Sequence, residues 1–213
     1  MAESVLAEPY QNIEQKKHAA EVGMWIFLAT EVLFFGGMFL VYTVYRVTYP
    51  AAFIAVSREL NFACGTLNTA ILLTSSLTMA LAVRAAKLGE RKHLTRFLAG
   101  TLVFGLCFMA VKAYEYRDDI EKHLVFGPSS RFQGPRAGPE ALLLFLYYTM
   151  TAIHALHLTI GIGLVTWVLA KARRGDFSSS HHDPVVITGL YWHFVDVVWV
   201  FLYPLLYLIG RHS

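Results

Sequence analysis

The sequence predicts an all-α integral membrane protein whose five transmembrane helices pack in a bundle. Of its 213 residues, 56% are hydrophobic and only 15% are charged, and the mean hydropathy is +0.48. Soluble domains average about 45–50% apolar and about 25% charged residues. The apolar residues form uninterrupted runs of roughly twenty residues, which is enough to cross a bilayer as a helix. The net charge of +3 is too small for a nucleic-acid-binding protein, so that class of partner is excluded.

Five segments are long and apolar enough to span a membrane. They are residues 22–45, 63–83, 97–116, 141–170 and 186–209. Each is expected to be helical, because backbone groups in hydrocarbon must form hydrogen bonds within their own segment. A barrel strand would instead show alternating polarity over about ten residues. The fourth segment is longer than a bilayer requires, so tilt or extension beyond the lipid is expected.

The regions between these segments are polar. Residues 1–21 lack the basic region and short apolar core of a secretory signal peptide, so the first apolar segment is expected to be retained. Residues 22–213 would then form one membrane domain behind a polar, cytoplasmic N-terminal segment. Residues 127–139 hold three glycines and three prolines and are predicted to interrupt the helices. Residues 176–184 form a second polar connection.

The basic residues are distributed unevenly between the connections. Those near the second and fourth connections are Arg84, Lys87, Arg91, Lys92, Arg96, Lys171, Arg173 and Arg174. The first connection holds Arg46 and Arg58, and the C-terminal tail holds Arg211. The positive-inside rule therefore predicts a cytoplasmic N-terminus and an outer C-terminus. Five positions predicted to be outside oppose this assignment: Lys112, Arg117, Lys122, Arg131 and Arg136.

Glu31 lies near the middle of the first apolar segment, about 15 Å from either membrane surface at the helical rise of 1.5 Å per residue. Ionisable groups at this depth are costly and indicate a functional site. One interpretation is a carboxyl that exchanges protons or faces lipid. The other is a neutral acid that is hydrogen-bonded within the bundle.

Histidines mark the fourth and fifth segments. His154 and His157 are three residues apart and are expected to share one face of their helix. His193 and Asp196 repeat this spacing, which predicts that the carboxylate orients the imidazole. Haem ligation requires two facing imidazoles at one depth, and His193 lies closer to the inner membrane surface than the other two. Hydrogen bonds between helices are therefore the expected role, and the sequence predicts no catalytic residue and no metal site.

The two cysteines, Cys64 and Cys107, lie far apart in apolar runs and are expected to pack as small apolar residues. Neither a disulfide framework nor a zinc motif is predicted.

At these polar positions the chain resembles subunit III of the haem–copper terminal oxidases. The most specific stretch is YWHFVDVVWVFLY (residues 191–203), preceded by SHHDP and by HALHLTIGIG (residues 154–163). Three earlier stretches match in the same order: GMWIFLATEVLFFGGMF (residues 23–39), LNTAILLTSSLT (residues 67–78) and KAYEY (residues 112–116). The likeness covers nearly the whole chain from Gly23 onward and is similar to the five-helix bacterial form, which lacks two helices found in many members. In that form the missing pair can be fused to subunit I.

The resemblance implies a non-catalytic core subunit of a cytochrome c oxidase-type complex in the bacterial inner membrane. Haems and copper would lie in partner subunits I and II, and this chain would bind no redox cofactor. It would pack on subunit I, hold phospholipid, and support proton uptake and oxygen access. Glu31 would face lipid, and Lys171 stands where the family has an arginine that contacts a lipid phosphate. Membership of a larger respiratory supercomplex is also compatible with this family.

Three alternatives remain at the level of the sequence. The chain could belong to a quinol oxidase or accompany nitric oxide reductase, because the electron donor binds elsewhere. It could be a membrane anchor that carries haem between His193 and either His154 or His157. A free-standing transporter is disfavoured, because no helix is broken by Gly or Pro at the midplane.

Overall fold

The computed structural model describes residues 13–125, 137–179 and 181–208, and these residues are almost entirely helical. The elements are α1 (Ile13–Thr48), α2 (Pro50–Glu59), α3 (Phe62–Lys87), α4 (Arg91–Glu121), α5 (Ala137–Arg174) and α6 (Asp183–Tyr203), followed by a π-helical turn (Pro204–Leu208). Five of the helices are long and apolar enough to cross a membrane. The predicted all-α fold with five spanning helices is therefore confirmed.

The helices extend beyond the predicted spans at most of their ends. α1 begins at Ile13, so the last part of the polar N-terminal segment is helical. α5 begins at Ala137 and places Gly138 and Pro139 in its first turn, where proline is tolerated because that N–H has no partner within the helix. The rest of the connection predicted at residues 127–139 lies outside the described residues.

The short helix α2 was not predicted. Its ten residues are too few to span a bilayer, and Arg58 and Glu59 lower its hydropathy. Pro50 stands in its first turn, and Phe53 and Val56 are buried against the bundle. The Ser57 hydroxyl donates to the carbonyl oxygen of Leu206 at 2.8 Å. α2 therefore joins the end of α1 to the π-helical turn at the end of the chain.

α6 is the central helix and α1 is peripheral. In its most apolar stretch, 61% of α6 is buried within the chain, against 11% of α1. α3 packs along both α4 and α6, and α5 packs along the other side of α4 and α6. α1 therefore presents most of its apolar surface, including Leu33 and Leu40, away from this chain.

Trp192 fills the space between α4 and α5. A Cβ atom at Gly105 of α4 would lie 2.8 Å from Cη2 of its ring, and a Cβ atom at Gly161 of α5 would lie 3.1 Å from Cε3. The indole Nε1 donates to Ser75 Oγ of α3 at 3.1 Å. One buried side chain thus joins four helices through steric fit and a hydrogen bond.

Candidate functional site

Glu31 of α1 pairs with His157 of α5. Glu31 Oε2 lies 3.1 Å from His157 Nε2, and His157 Nδ1 lies 2.8 Å from the carbonyl oxygen of Ile153. A carbonyl oxygen can only accept, so Nδ1 carries a proton and donates it. The contact between Nε2 and Oε2 then requires one further proton, which resides on either the imidazole or the carboxyl group. The two side chains of the pair therefore share one proton.

This pair is only partly covered by the protein. The exposed fractions of the His157 and Glu31 side chains are 13% and 19%. Phe35 packs edge-on against the imidazole, with ring centroids 5.4 Å apart, and Tyr191 donates its hydroxyl to the His157 carbonyl oxygen. The pair therefore faces the surface of the chain, within a membrane span, on the peripheral helix α1.

His154 does not form the hydrogen bond between helices that the sequence predicted. It is buried, and neither ring nitrogen has a hydrogen-bond partner among the described residues. Its ring instead packs between Phe108 and Trp199, at centroid distances of 5.5 and 5.2 Å. Each residue turns the helix by about 100°, so three residues make about 300°, which is about 60° short of a full turn. The side chains of His154 and His157 therefore point in directions about 60° apart. This angle is enough to direct His154 toward α4 and α6 and His157 toward α1.

The predicted pair of His193 and Asp196 is also absent. His193 Nδ1 contacts Ser76 Oγ of α3 at 2.8 Å. Asp196 is buried, and neither of its carboxylate oxygens has a hydrogen-bond partner within the described part of the chain. The Ser76 side chain is a nearby polar group that interacts with it. The hydroxyl on α3 thus takes the place that the sequence analysis gave to Asp196.

Lys171 lies near the end of α5, close to Trp167. Its Nζ lies 4.5 Å from the centroid of the Trp167 ring, which is a cation–π distance. The amphipathic tryptophan is typical of a membrane–water interface, so this position suits contact with a lipid headgroup.

A buried charged cluster on α4 was missed by the sequence analysis. Lys112 Nζ donates to Glu115 Oε2 at 3.2 Å, to Tyr147 Oη at 3.0 Å and to Tyr207 Oη at 2.8 Å. Tyr207 Oη donates to Glu115 Oε1 at 2.5 Å, and Tyr147 Oη lies 3.0 Å from Asp119 Oδ2. The cluster connects α4, α5 and the π-helical turn.

Lys112 lies inside the predicted span of residues 97–116, so counting it among the basic residues of the third connection was wrong. Its exposed fraction is 3%, and it lies within α4, which continues to Glu121. The spacing of Lys112, Glu115 and Asp119 puts all three on one helix face, and this spacing was the available signal. A hydropathy profile does not reveal this cluster, because charged residues close to the end of an apolar run are taken to mark the end of the membrane span.

Across the described ranges, no group of three or more His, Cys, Asp or Glu side chains is arranged to hold a metal ion. Cys64 and Cys107 are free thiols.

The five spans and their buried polar contacts define a multi-pass helical membrane protein. The chain matches the family model for cytochrome c oxidase subunit III over residues 10–127 and 136–211. Cytochrome c oxidase subunit 3 of Synechocystis sp. is 33% identical over 188 residues, which cover 88% of this chain and 74% of the relative. That of Thermostichus vulcanus is 31% identical over 191 residues, covering 89% and 87%. A probable cytochrome c oxidase subunit 3 of Nocardia farcinica is 29% identical over 212 residues, covering 97% and 98%.

The chain belongs to the cytochrome c oxidase subunit III family. It is accordingly a subunit of an oxidoreductase complex of the respiratory chain, and its partners are the other oxidase subunits. The resemblance stated from its helix sequences is confirmed.

Proposed function

We propose that this chain is a non-catalytic core subunit that packs on subunit I of the oxidase, holds phospholipid, and supports proton uptake and oxygen access. Haems and copper would be held by subunits I and II, and the electron donor would be cytochrome c. The observation that carries this proposal is the Glu31–His157 pair, which is hydrogen-bonded and partly exposed within a membrane span. We infer that the proton shared by this pair can be exchanged there.

Two features of the chain support a role at the lipid boundary. The peripheral helix α1 carries Glu31 and leaves most of its apolar surface to lipid or to another subunit. His157 lies near the middle of α5, whereas Lys171 and Trp167 lie near its C-terminal end, where contact with lipid headgroups is expected. The headgroup of a phospholipid could therefore contact Lys171 while its acyl chains lie beside Glu31.

We further propose that the N-terminus lies in the cytoplasm of a bacterial cell and the C-terminus outside the inner membrane. The named relatives include bacterial proteins. Because Lys112 is buried in α4, the basic residues on the predicted outer side fall from eight to seven, against eight in the two connections predicted to be inside. Three of the seven, Arg131, Arg136 and Arg211, lie outside the described residues.

The substitution Glu31→Gln tests the proposed role of the pair. The glutamine amide can still donate to His157 Nε2, so we expect the complex to assemble with unchanged haem spectra and an unchanged initial rate of oxygen reduction. Because an amide cannot take up or release a proton as the carboxyl group can, we expect the purified oxidase to inactivate several-fold sooner during sustained turnover. The measurement is oxygen consumption followed until the activity decays.

Glu121→Gln is the matched control, since Glu121 is exposed and pairs with Arg117 on the surface of its own helix. It should inactivate at the wild-type rate. An equal lifetime for Glu31→Gln and wild type would contradict the proposed proton role, and loss of the assembled complex would show that Glu31 is structural.

A further inference from the structure

A basic cavity lies between the start of α4 and the end of α5. It has a volume of about 440 Å³ and is lined by Arg91, Lys92, Thr95, Arg96 and Arg173. It is open to the surface of the protein, and its arginine and lysine side chains are exposed. Four of its five lining residues are cationic, and the described lining includes no carboxylate. The cavity therefore favours an anionic occupant.

The walls of the cavity are fixed by Arg91. Its Nε donates to the carbonyl oxygen of Ala172 at 3.2 Å, and its Nη2 donates to the carbonyl oxygen of Arg173. These bonds join the first residue of α4 to the last turn of α5. Gly175 follows at φ 89°, and a Cβ atom there would lie 2.9 Å from Arg91 Nη1. The spacing of the two helix ends is thus set by the chain itself.

The backbone adds to the positive potential. α4 begins at Arg91, and the residue before it, Glu90, makes no side-chain capping hydrogen bond. The first N–H groups of a helix have no partner within the helix and carry its positive dipole end. Arginine side chains around such an end provide planar forks that match the oxygens of a phosphate group.

This cavity is separate from the lipid surface proposed at Lys171. Lys171 and Arg173 are two residues apart on α5, which places their side chains about 200° apart around the helix. Lys171 lies over Trp167, whereas Arg173 lines the cavity beside α4. The two positions therefore contact different molecules.

We propose that this cavity binds a phosphate group at the membrane surface. The group belongs either to the headgroup of an anionic phospholipid or to free phosphate, since both present the same oxygens. Arg96 and Arg173 hold the phosphate, while Arg91 keeps the two helices at the required distance.

The test compares two variants of the complete purified oxidase that remove the same charge. Arg96→Gln with Arg173→Gln changes the cavity, and Arg84→Gln with Arg174→Gln changes two exposed arginines at the same end of the bundle that do not line it. Arg91 is left intact because it joins the helices. Subunit content and haem spectra check that each complex is assembled. Arg96→Lys, which keeps the charge and loses the fork, is a milder third variant.

Binding is measured by calorimetry with two probes, a soluble short-chain phosphatidylglycerol and inorganic phosphate. We expect the cavity variant to bind at least one probe about tenfold more weakly than wild type, equivalent to about 1.4 kcal/mol, with Arg96→Lys intermediate and the control pair unchanged. Loss confined to phosphatidylglycerol identifies a lipid headgroup, and equal loss for both probes identifies a site for phosphate itself.

Two results would overturn the proposal. Equal weakening in the cavity and control variants would show that these arginines act only through their net charge, for example in orienting the chain in the membrane. If neither probe binds the wild-type complex, the cavity is not available there. A carboxylate of a neighbouring subunit that occupies it would give this result.

Discussion

Replacing Lys112 with methionine is expected to prevent stable assembly of the oxidase. The ammonium group contacts Glu115 and the hydroxyls of Tyr147 and Tyr207, all of them buried. Methionine retains the apolar stem but leaves two acidic side chains, Glu115 and Asp119, without this cation. Removing one partner of a buried ion pair typically costs about 3–5 kcal/mol, which is a large fraction of the stability of an average domain. The measurement is the amount and thermal midpoint of the assembled complex.

The matched control is Lys122→Met. Lys122 pairs with Asp118 at 2.6 Å on the surface of the same region, and such exposed pairs contribute about 0–1 kcal/mol. Combining Lys112→Met with Glu115→Gln should recover part of the lost assembly, because one of the unpaired carboxyls is then removed. Wild-type assembly of Lys112→Met alone would refute a structural role for the cluster.

The importance of this cluster follows from what it holds. Tyr207 lies in the π-helical turn, whose carbonyl oxygens at Leu205 and Leu206 accept hydrogen bonds from Tyr42 of α1 and Ser57 of α2. The last carbonyls of a helix have no partner within it, so side chains from other elements can satisfy them. The π-helical turn is thereby joined to α1, α2, α4 and α5. Loss of Lys112 would release a junction between four elements.

The spanning helices could be predicted from sequence because burial in lipid requires long apolar runs, whatever their neighbours are. The polar contacts could not be predicted in the same way. Glu31 and His157 are 126 residues apart, and no local spacing relates them. His193 was assigned to the carboxylate nearest in sequence, whereas a serine on another helix occupies that position. Local periodicity defines which face a residue is on, but packing decides what that face meets.

The cluster around Lys112 shows a second reason for error. Its residues have the spacing of one helix face, yet a charge near the end of an apolar run is usually at the membrane surface. Here the hydroxyls of Tyr147 and Tyr207, from distant parts of the chain, replace water around the charge. Burial of Lys112 therefore depends on partners that only the folded bundle brings together.

Gly105→Ala is the second substitution expected to have a large effect. The new methyl group would lie 2.8 Å from Trp192 Cη2 and 3.3 Å from Ile162 Cγ1. The indole ring cannot move away easily, because it also packs closely against Gly161 and its Nε1 is bonded to Ser75 Oγ. Adding a methyl group to so tight a contact typically costs about 1–3 kcal/mol. We expect a lower thermal midpoint for the complex and less subunit retained in it.

Gly100→Ala distinguishes this packing effect from a general effect of changing a helix glycine. Gly100 lies on the same helix, and a Cβ atom there meets only Thr78 at the ordinary contact distance of 3.7 Å. Alanine is favoured over glycine in a helix interior by about 0.8–1.0 kcal/mol, so this variant should be at least as stable as wild type. Because the two substitutions add the same atoms to the same helix, a difference between them measures the contact with Trp192. Equal stability of the two variants would show that α4 and α6 can separate at little cost, and that Trp192 does not fix their distance.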